Sequence, residues 1–334
     1  QIISVLKNLA GELRKNKKTI VKANLKDLKK LPLGHSSTGE AQSDPRRDRL
    51  LLNNMRIERM AEEIENLAKM PDPIGQIFDC RNRFGLKICR KRVPIGVIGV
   101  IYESRPNVTT DVAGICIKSG NAVVLKGGKE ARESYIALHK IIKRALILSK
   151  VNPEVVQFID PKMKDAVSDI ISANGLVDVI IPRGSSGLIN FVRKNATVPV
   201  IETGAGVCHT YVDDEAKLPQ SAKIIFNAKT QRPSVCNALD TALINRKIAK
   251  EFLPKMAKLL KEKNVEIFAD KESFNILKNC YPKNLLKVAK AADFGREFLS
   301  QKMSVKTVSN IDEAIKFIQK YSSKHSEAIL TEDK

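Results

Sequence analysis

Apolar residues set the first rhythm of the chain. Ile3, Leu6, Leu9 and Leu13 recur at helical spacing with lysines opposite, which predicts helix over residues 1–30. A polar stretch, 34–45, has no apolar anchor and reads as a loop. A second helical pattern runs over 46–69 and is stopped by Pro71 and Pro73, which cannot continue a helix. Between 84 and 94 the residues alternate, Leu86 and Ile88 against Arg90 and Arg92, and predict an exposed strand or hairpin.

Beyond that point strands and helices take turns. The nearly unbroken apolar run 95–102 predicts a strand, followed by helix 108–118, strand 122–125 and helix 132–148. Further buried strands are expected at 155–158, 177–181 and 198–201, with helices between. Runs of Val and Ile without alternation suit a parallel sheet covered on both faces, so the expected class is α/β. A second α/β segment starts near Thr230, with strands at 242–245, 265–268, 304–308 and 328–330 and helices at 247–261, 271–278 and 312–321. The sequence stops at Thr331 to Lys334, directly after a strand, and reads as a fragment.

Composition narrows the class. A chain of 334 residues is long enough for two domains, and 43% hydrophobic with 28% charged residues is ordinary for a globular fold. The longest apolar run, 93–102, is about half the ~20 residues a bilayer span needs, and Pro94 and Gly96 interrupt it. The opening Gln-Ile-Ile resembles no signal peptide, so cytoplasmic residence is expected. Six scattered cysteines, with no Cys-x-x-Cys and no histidine at zinc spacing, predict core fillers rather than disulfides or a metal site. A net charge of +21 is large, yet the lysines are dispersed and aromatics make up only 5%. That argues against a nucleic-acid surface, which stacks bases on aromatics, and permits anionic small substrates.

Several segments could carry chemistry. The run 227–240 presents Cys236 on a Pro-containing polar loop, with Lys229 and Arg232 near enough in sequence to favour thiolate; a buried filler is the plainer role. Cys208 and His209 are adjacent, but on a strand their side chains point to opposite faces, so Cys208 is read as structural. Asn107 follows a buried strand at the first turn of a helix, as an oxyanion-stabilising carboxamide or an N-cap. A second strand ends at Lys126, and Gly128 and Lys129 follow, where a glycine lets a ligand approach the backbone. Gly184 and Ser185 form a strand-to-helix turn whose N–H groups suit a pyrophosphate. The sequence has no Gly-x-Gly-x-x-Gly fingerprint.

Taken in order, VPIGVIGVIYESRPNVTTDVAGICIKSGNAVVLKGGKEA (93–131), VDVIIPRGSSGL (177–188), VPVIETGAGVCHTYVD (198–213), NAKTQRPSVCNALDTALIN (227–245), EFLS (297–300) and KHSEAI (324–329) resemble the aldehyde dehydrogenase superfamily over nearly the whole chain. The resemblance is greatest to its members that reduce L-glutamyl 5-phosphate in proline biosynthesis. It implies a dinucleotide-binding domain (1–84 and 95–229), an oligomerisation hairpin (85–94) and an incomplete catalytic domain (230–334). It places the nucleophile at Cys236, the oxyanion donor at Asn107, the adenosine ribose at Lys126, the pyrophosphate at Gly184 and Ser185, and the nicotinamide ribose at Glu297. NAD-preferring members commonly carry a carboxylate three residues after this lysine. Here that residue is Lys129, which suits a 2′-phosphate and therefore NADP(H).

The implied reaction is acyl transfer to Cys236 and reduction of the thioester, in a full-length homo-oligomer with no metal, nucleic acid or membrane partner. Lys229 and Arg232 are candidates to neutralise the departing phosphate. Glu202 stands where aldehyde-oxidising members keep a general base, and Phe317 where the terminal motif usually has His. The family's chains extend beyond both ends of this one. An NAD-dependent aldehyde-oxidising relative, an inactive fragment or basic module, and one half of a bifunctional kinase–reductase remain alternative readings.

Overall fold

Leu6, Leu9 and Leu13 fall on the buried face of α1 (Ile2–Lys15), which is followed by α2 (Lys17–Lys30). The expected single helix breaks at Asn16, whose side-chain amide donates to the Glu12 carbonyl at 2.8 Å and competes with the helical ladder. The protein is described from a computed structural model covering residues 1–31, 45–202 and 206–333. The polar stretch before Pro45 lies outside the described residues. The second helical region is likewise two pieces, α3 (Pro45–Leu50) and α4 (Asn54–Lys69). Asn53 separates them by accepting the Arg56 N–H at 2.8 Å as an N-cap.

Next comes an antiparallel hairpin, β1 (Ile77–Arg83) and β2 (Leu86–Lys91). Its two-residue turn puts Phe84 at φ 50° and Gly85 at φ 75°, the left-handed pair that matches strand twist. The sequence expectation of 85–94 caught only the second arm, because Asp79 to Asn82 hide the apolar signal of the first. A second correction concerns the cysteines. Cys80 and Cys89 face each other across this hairpin as a disulfide, on solvent-exposed strands, and Cys280 is also exposed; of the remainder, Cys116 and Cys208 are buried fillers. Alternation cannot show which cysteines a turn brings opposite one another.

Contacts divide the chain into two units, Gln1–Thr203 and Gly204–Lys334. In the first, β3 (Val97–Tyr102), α5 (Asn107–Lys118), β4 (Ala122–Lys126), α6 (Arg132–Leu148), β5 (Val156–Ile159), α7 (Ala166–Ile171), β6 (Val179–Arg183) and α8 (Ser186–Asn195) alternate. The strands are parallel in the order β5-β4-β3-β6. Leu9, Ile64, Ala113 and Leu138 fill one face, while Ile101, Ile170, Ile180 and Val192 fill the other, so the strands are apolar on both sides. Buried Asp27 of α2 accepts the Glu133 and Ser134 N–H groups at 3.1 and 2.8 Å, capping the start of α6 from a distant helix. The strand expected at 198–201 reduces to a single bridge, Ile180 to Val200, and Ile201 is exposed.

The second unit holds β7 (His209–Val212), α9 (Leu218–Thr230), β8 (Thr241–Asn245), α10 (Arg246–Lys261), β9 (Glu266–Ala269), α11 (Lys271–Leu277), β10 (Leu286–Val288), α12 (Ala291–Phe294), β11 (Lys302–Val308), α13 (Ile311–Tyr321) and β12 (Glu327–Leu330). Its sheet is parallel, in the order β10-β9-β11-β8-β7-β12. The sequence placed the domain boundary at 229/230. The structure moves it back because β7 is hydrogen-bonded between β8 and β12, and Ala222 and Ile225 of α9 pack in this core. No helix among the described residues is long and apolar enough to cross a membrane.

Candidate active site

In the first unit the candidate cofactor residues gather at the carboxyl ends of three neighbouring strands. β4 and β5 lie to one side of β3 and β6 to the other, so the loops after β3 and β6 flank the point where strand order reverses. Open α/β sheets bind nucleotides in that crevice. Gly184 and Ser185 follow β6, and Ser185 caps α8 by accepting the Leu188 N–H at 3.4 Å. Their turn already holds an anion. The Glu103 carboxylate, just after β3, accepts the Ser185 N–H at 2.7 Å and its hydroxyl at 3.2 Å. A carboxylate and a phosphate oxygen use the same donors, so this geometry fits a pyrophosphate.

Lys126 ends β4, half-buried, with Nζ donating to the Gly127 carbonyl at 3.2 Å. Burial, and then the nearby charge of Lys129, push its pKa down. Lys129 is exposed, one residue beyond Gly128. Both lysines stand at the carboxyl end of β4. Glu130, between these residues and the turn after β3, accepts the Ser104 N–H at 2.6 Å and its hydroxyl at 2.8 Å. Asn107 opens α5, and its carboxamide donates to Asp111 Oδ2 at 2.9 Å. Glu202 is exposed and pairs with Arg193 at 3.7 Å.

In the second unit the chemistry sits at the amino edge of the sheet. Cys236 is half-buried on the loop joining α9 to β8. Two other segments, one leading into β7 and one around Glu297, frame that loop. Gly206 lies against it, so near that an added Cβ would be 1.8 Å from the Cys236 carbonyl oxygen. The Gly206 N–H in turn donates to Glu297 at 3.2 Å. One glycine thus brings together the candidate nucleophile and the candidate ribose-holding carboxylate. Cys208 completes the frame, its thiol donating to the Cys236 carbonyl at 3.2 Å. Burial pushes that thiol up to about 12, so Cys208 is a neutral donor and a poor nucleophile.

The loop is stapled at its base. Leu239 donates its N–H to the Ala228 carbonyl at 3.1 Å, and its own carbonyl accepts Lys229 Nζ at 2.8 Å. Lys229 is 0% exposed and lies 4.0 Å from Asp240, which accepts the Phe298 and Cys208 N–H groups at 2.9 and 3.3 Å. Lys229 therefore cannot meet a departing phosphate; it is a strut, correcting the sequence expectation. Asp240 and Gly206 escaped the sequence reading because their partners are distant in the chain. Phe317 packs edge-on against His209 and Phe294, with centroids 6.1 and 5.3 Å apart, and plays the part of a core aromatic. At the opposite, carboxyl edge of this sheet, a cavity lined by Asp213, Asp214, Lys247 and Asn310 has no link to the cysteine.

A parallel-sheet nucleotide cradle and a loop-borne cysteine braced beside a carboxylate describe one class of oxidoreductase. A family model described as aldehyde dehydrogenase family matches residues 49–274, and the chain belongs to that family. Its relatives narrow the branch. It is 47% identical over 333 residues to the gamma-glutamyl phosphate reductase of Chlorobium phaeobacteroides (strain BS1), covering 99% of this chain and 77% of that protein. It is 47% identical over 330 residues to the gamma-glutamyl phosphate reductase of Legionella pneumophila (strain Corby), covering 98% and 76%. Among solved structures, the gamma-glutamyl phosphate reductase of Thermotoga maritima superposes with a TM-score of 0.86 at 40% identity, over 100% of this chain and 78% of that one.

Proposed function

We propose that the chain reduces L-glutamyl 5-phosphate to L-glutamate 5-semialdehyde and phosphate, using NADPH and a covalent thioester on Cys236, the second step of proline biosynthesis. The observation that carries this reading is that Gly206 lies against the backbone of Cys236 and donates its N–H to Glu297, so one glycine adjoins both the candidate nucleophile and the candidate ribose-holding carboxylate. Names of relatives that are 47% identical over nearly the whole chain point to the same substrate.

The Cys236 thiolate attacks the acyl carbon, and phosphate leaves with the carbon–oxygen electron pair. The thioester remains on Cys236. When bound, the dinucleotide supplies a hydride to that acyl carbon. Collapse of the resulting thiohemiacetal returns the electron pair to the Cys236 sulfur and releases the aldehyde. Asn107 donates to the oxyanion formed at each tetrahedral stage, a contact worth ~3 kcal/mol in comparable sites. Arg232, exposed on the Cys236 loop, is left to offset the charge of the departing phosphate. Gly184 and Ser185 hold the pyrophosphate, Lys126 the adenosine ribose, and Lys129 the 2′-phosphate that selects NADP(H) over NAD(H). The β1–β2 hairpin, with Ile77, Leu86 and Ile88 exposed and Phe84 92% exposed, is the self-association element.

The test is the reverse reaction, phosphate-dependent oxidation of the semialdehyde. Cys236→Ala should abolish it, and Cys208→Ser should keep most of it. An active Cys236→Ala enzyme, or product formed as free carboxylate without phosphate, would sink the proposal.

A further inference from the structure

Asn107 and Asp111 lie one turn apart on α5, with the carboxamide nitrogen 2.9 Å from Asp111 Oδ2. Thr110 fixes the same turn from the other side, its hydroxyl donating to the Asn107 carbonyl at 2.9 Å. The second carboxylate oxygen, Asp111 Oδ1, is buried and has no hydrogen-bond partner among the described residues. Burying a half-satisfied carboxylate is unfavourable, and an apolar residue would serve helix packing better at this position. The stability of α5 therefore gives no reason for this side chain. Its contact with Asn107 does.

We propose that Asp111 is a positioning residue that locks the orientation of the Asn107 carboxamide. This rests on the reading of Asn107 as the oxyanion donor. An ionised carboxylate only accepts hydrogen bonds, so it forces the NH2 end of the carboxamide to its own side. An NH2 group has two hydrogens. Asp111 takes one, and the other is held for the acyl oxygen. A carboxamide free to rotate by half a turn would present its own carbonyl oxygen instead, and two negative oxygens would oppose each other. The lock also titrates. Burial, with the charge of Glu63 on α4 adding to it, raises Asp111 to about 7. Once protonated, Asp111 can donate to the Asn107 carbonyl oxygen and favour the flipped state.

Four variants of the enzyme test this. Asn107→Ala should lower kcat about 100-fold or more. Asp111→Asn, whose amide can donate to the Asn107 oxygen, should lower kcat about tenfold with the KM for NADPH unchanged. It should also remove the fall in kcat below about pH 7 expected of the parent. The Asn107→Ala/Asp111→Asn double variant should be no slower than Asn107→Ala alone. Asp111→Leu fills the same space without an unpaired oxygen, so it should keep or raise Tm and still slow kcat, which a merely structural role would not do. Parent-like kcat in Asp111→Asn, or additive losses in the double variant, would overturn the inference while leaving Asn107 in place. Undiminished kcat in Asn107→Ala would instead remove the oxyanion reading, and the inference with it.

Discussion

Gly206 and Cys236 are 30 positions apart in sequence, yet a methyl group on the glycine would sit 1.8 Å from the carbonyl oxygen of the cysteine. The obstructing atom belongs to the backbone, so no rotamer change relieves it. Gly206→Ala must displace either the Cys236 loop or the segment that donates to Glu297. Overpacking of this kind costs ~1–3 kcal/mol. The expected result is a lower Tm in thermal unfolding together with a kcat reduced by more than Tm alone explains. A variant with unchanged kcat would show that the loop adjusts without consequence.

Glu103 occupies the turn at Ser185 that the cofactor pyrophosphate would use. Glu103→Gln removes a negative charge from the N-terminus of α8, where it contributes ~0.3–1 kcal/mol to stability. The same change removes a competitor for the cofactor. NADPH titration should therefore give a Kd several-fold lower than the parent, beside a slightly lower Tm. Weaker binding would mean that Glu103 helps to hold the cofactor instead of yielding to it.

Lys129 is the cation assigned to the 2′-phosphate. Lys129→Glu replaces attraction by repulsion and offers an acceptor to a free ribose hydroxyl. A charged hydrogen bond is worth ~1.5–3 kcal/mol, about 10-fold or more in the ratio of kcat/KM for NADPH over NADH. That ratio should fall accordingly. If it is unchanged, cofactor choice lies elsewhere in the loop.

The Lys229–Asp240 pair makes the brace of the cysteine loop sensitive to pH. Burial raises Asp240 from 3.8 to about 6, against the opposing pull of Lys229. The folded chain then holds a proton that the unfolded chain has lost, and stability falls as pH rises through that window. Burial lowers Lys229 from 10.5 to about 8, so the unfolded chain holds the extra proton and stability rises again between those values. Lys229→Met leaves Asp240 buried without its cation. Breaking such a pair costs ~3–5 kcal/mol. Urea denaturation should show the deficit of this variant growing from pH 5 to pH 7.5, and a deficit independent of pH would contradict the pairing.

Much of this was readable in advance. The helix 132–148 was expected with the bounds that α6 shows, and the strands β3, β4, β8 and β11 fall within about two residues of the apolar runs that predicted them. The sequence placed Cys236 on a polar loop before a strand and Gly184–Ser185 on a strand-to-helix turn, and the structure has them on the α9–β8 loop and the β6–α8 turn, because Pro, Gly and Ser punctuate the apolar runs on either side. The first arm of the hairpin was not, since its outward side chains are polar and its partner, not its own pattern, makes it a strand.

The sequence by itself determined most of the helices and parallel strands, that the sheet of the first unit is covered on both faces, and which thiol stands on a polar loop. Those properties are local, set by the spacing of apolar side chains and by turn residues. Only the tertiary structure decided that β7 joins the second sheet, that Cys80 pairs with Cys89, that Lys229 is a buried strut, and that Gly206 lies between Cys236 and Glu297. These depend on strand order and close approach between residues far apart in the chain, which no periodicity encodes.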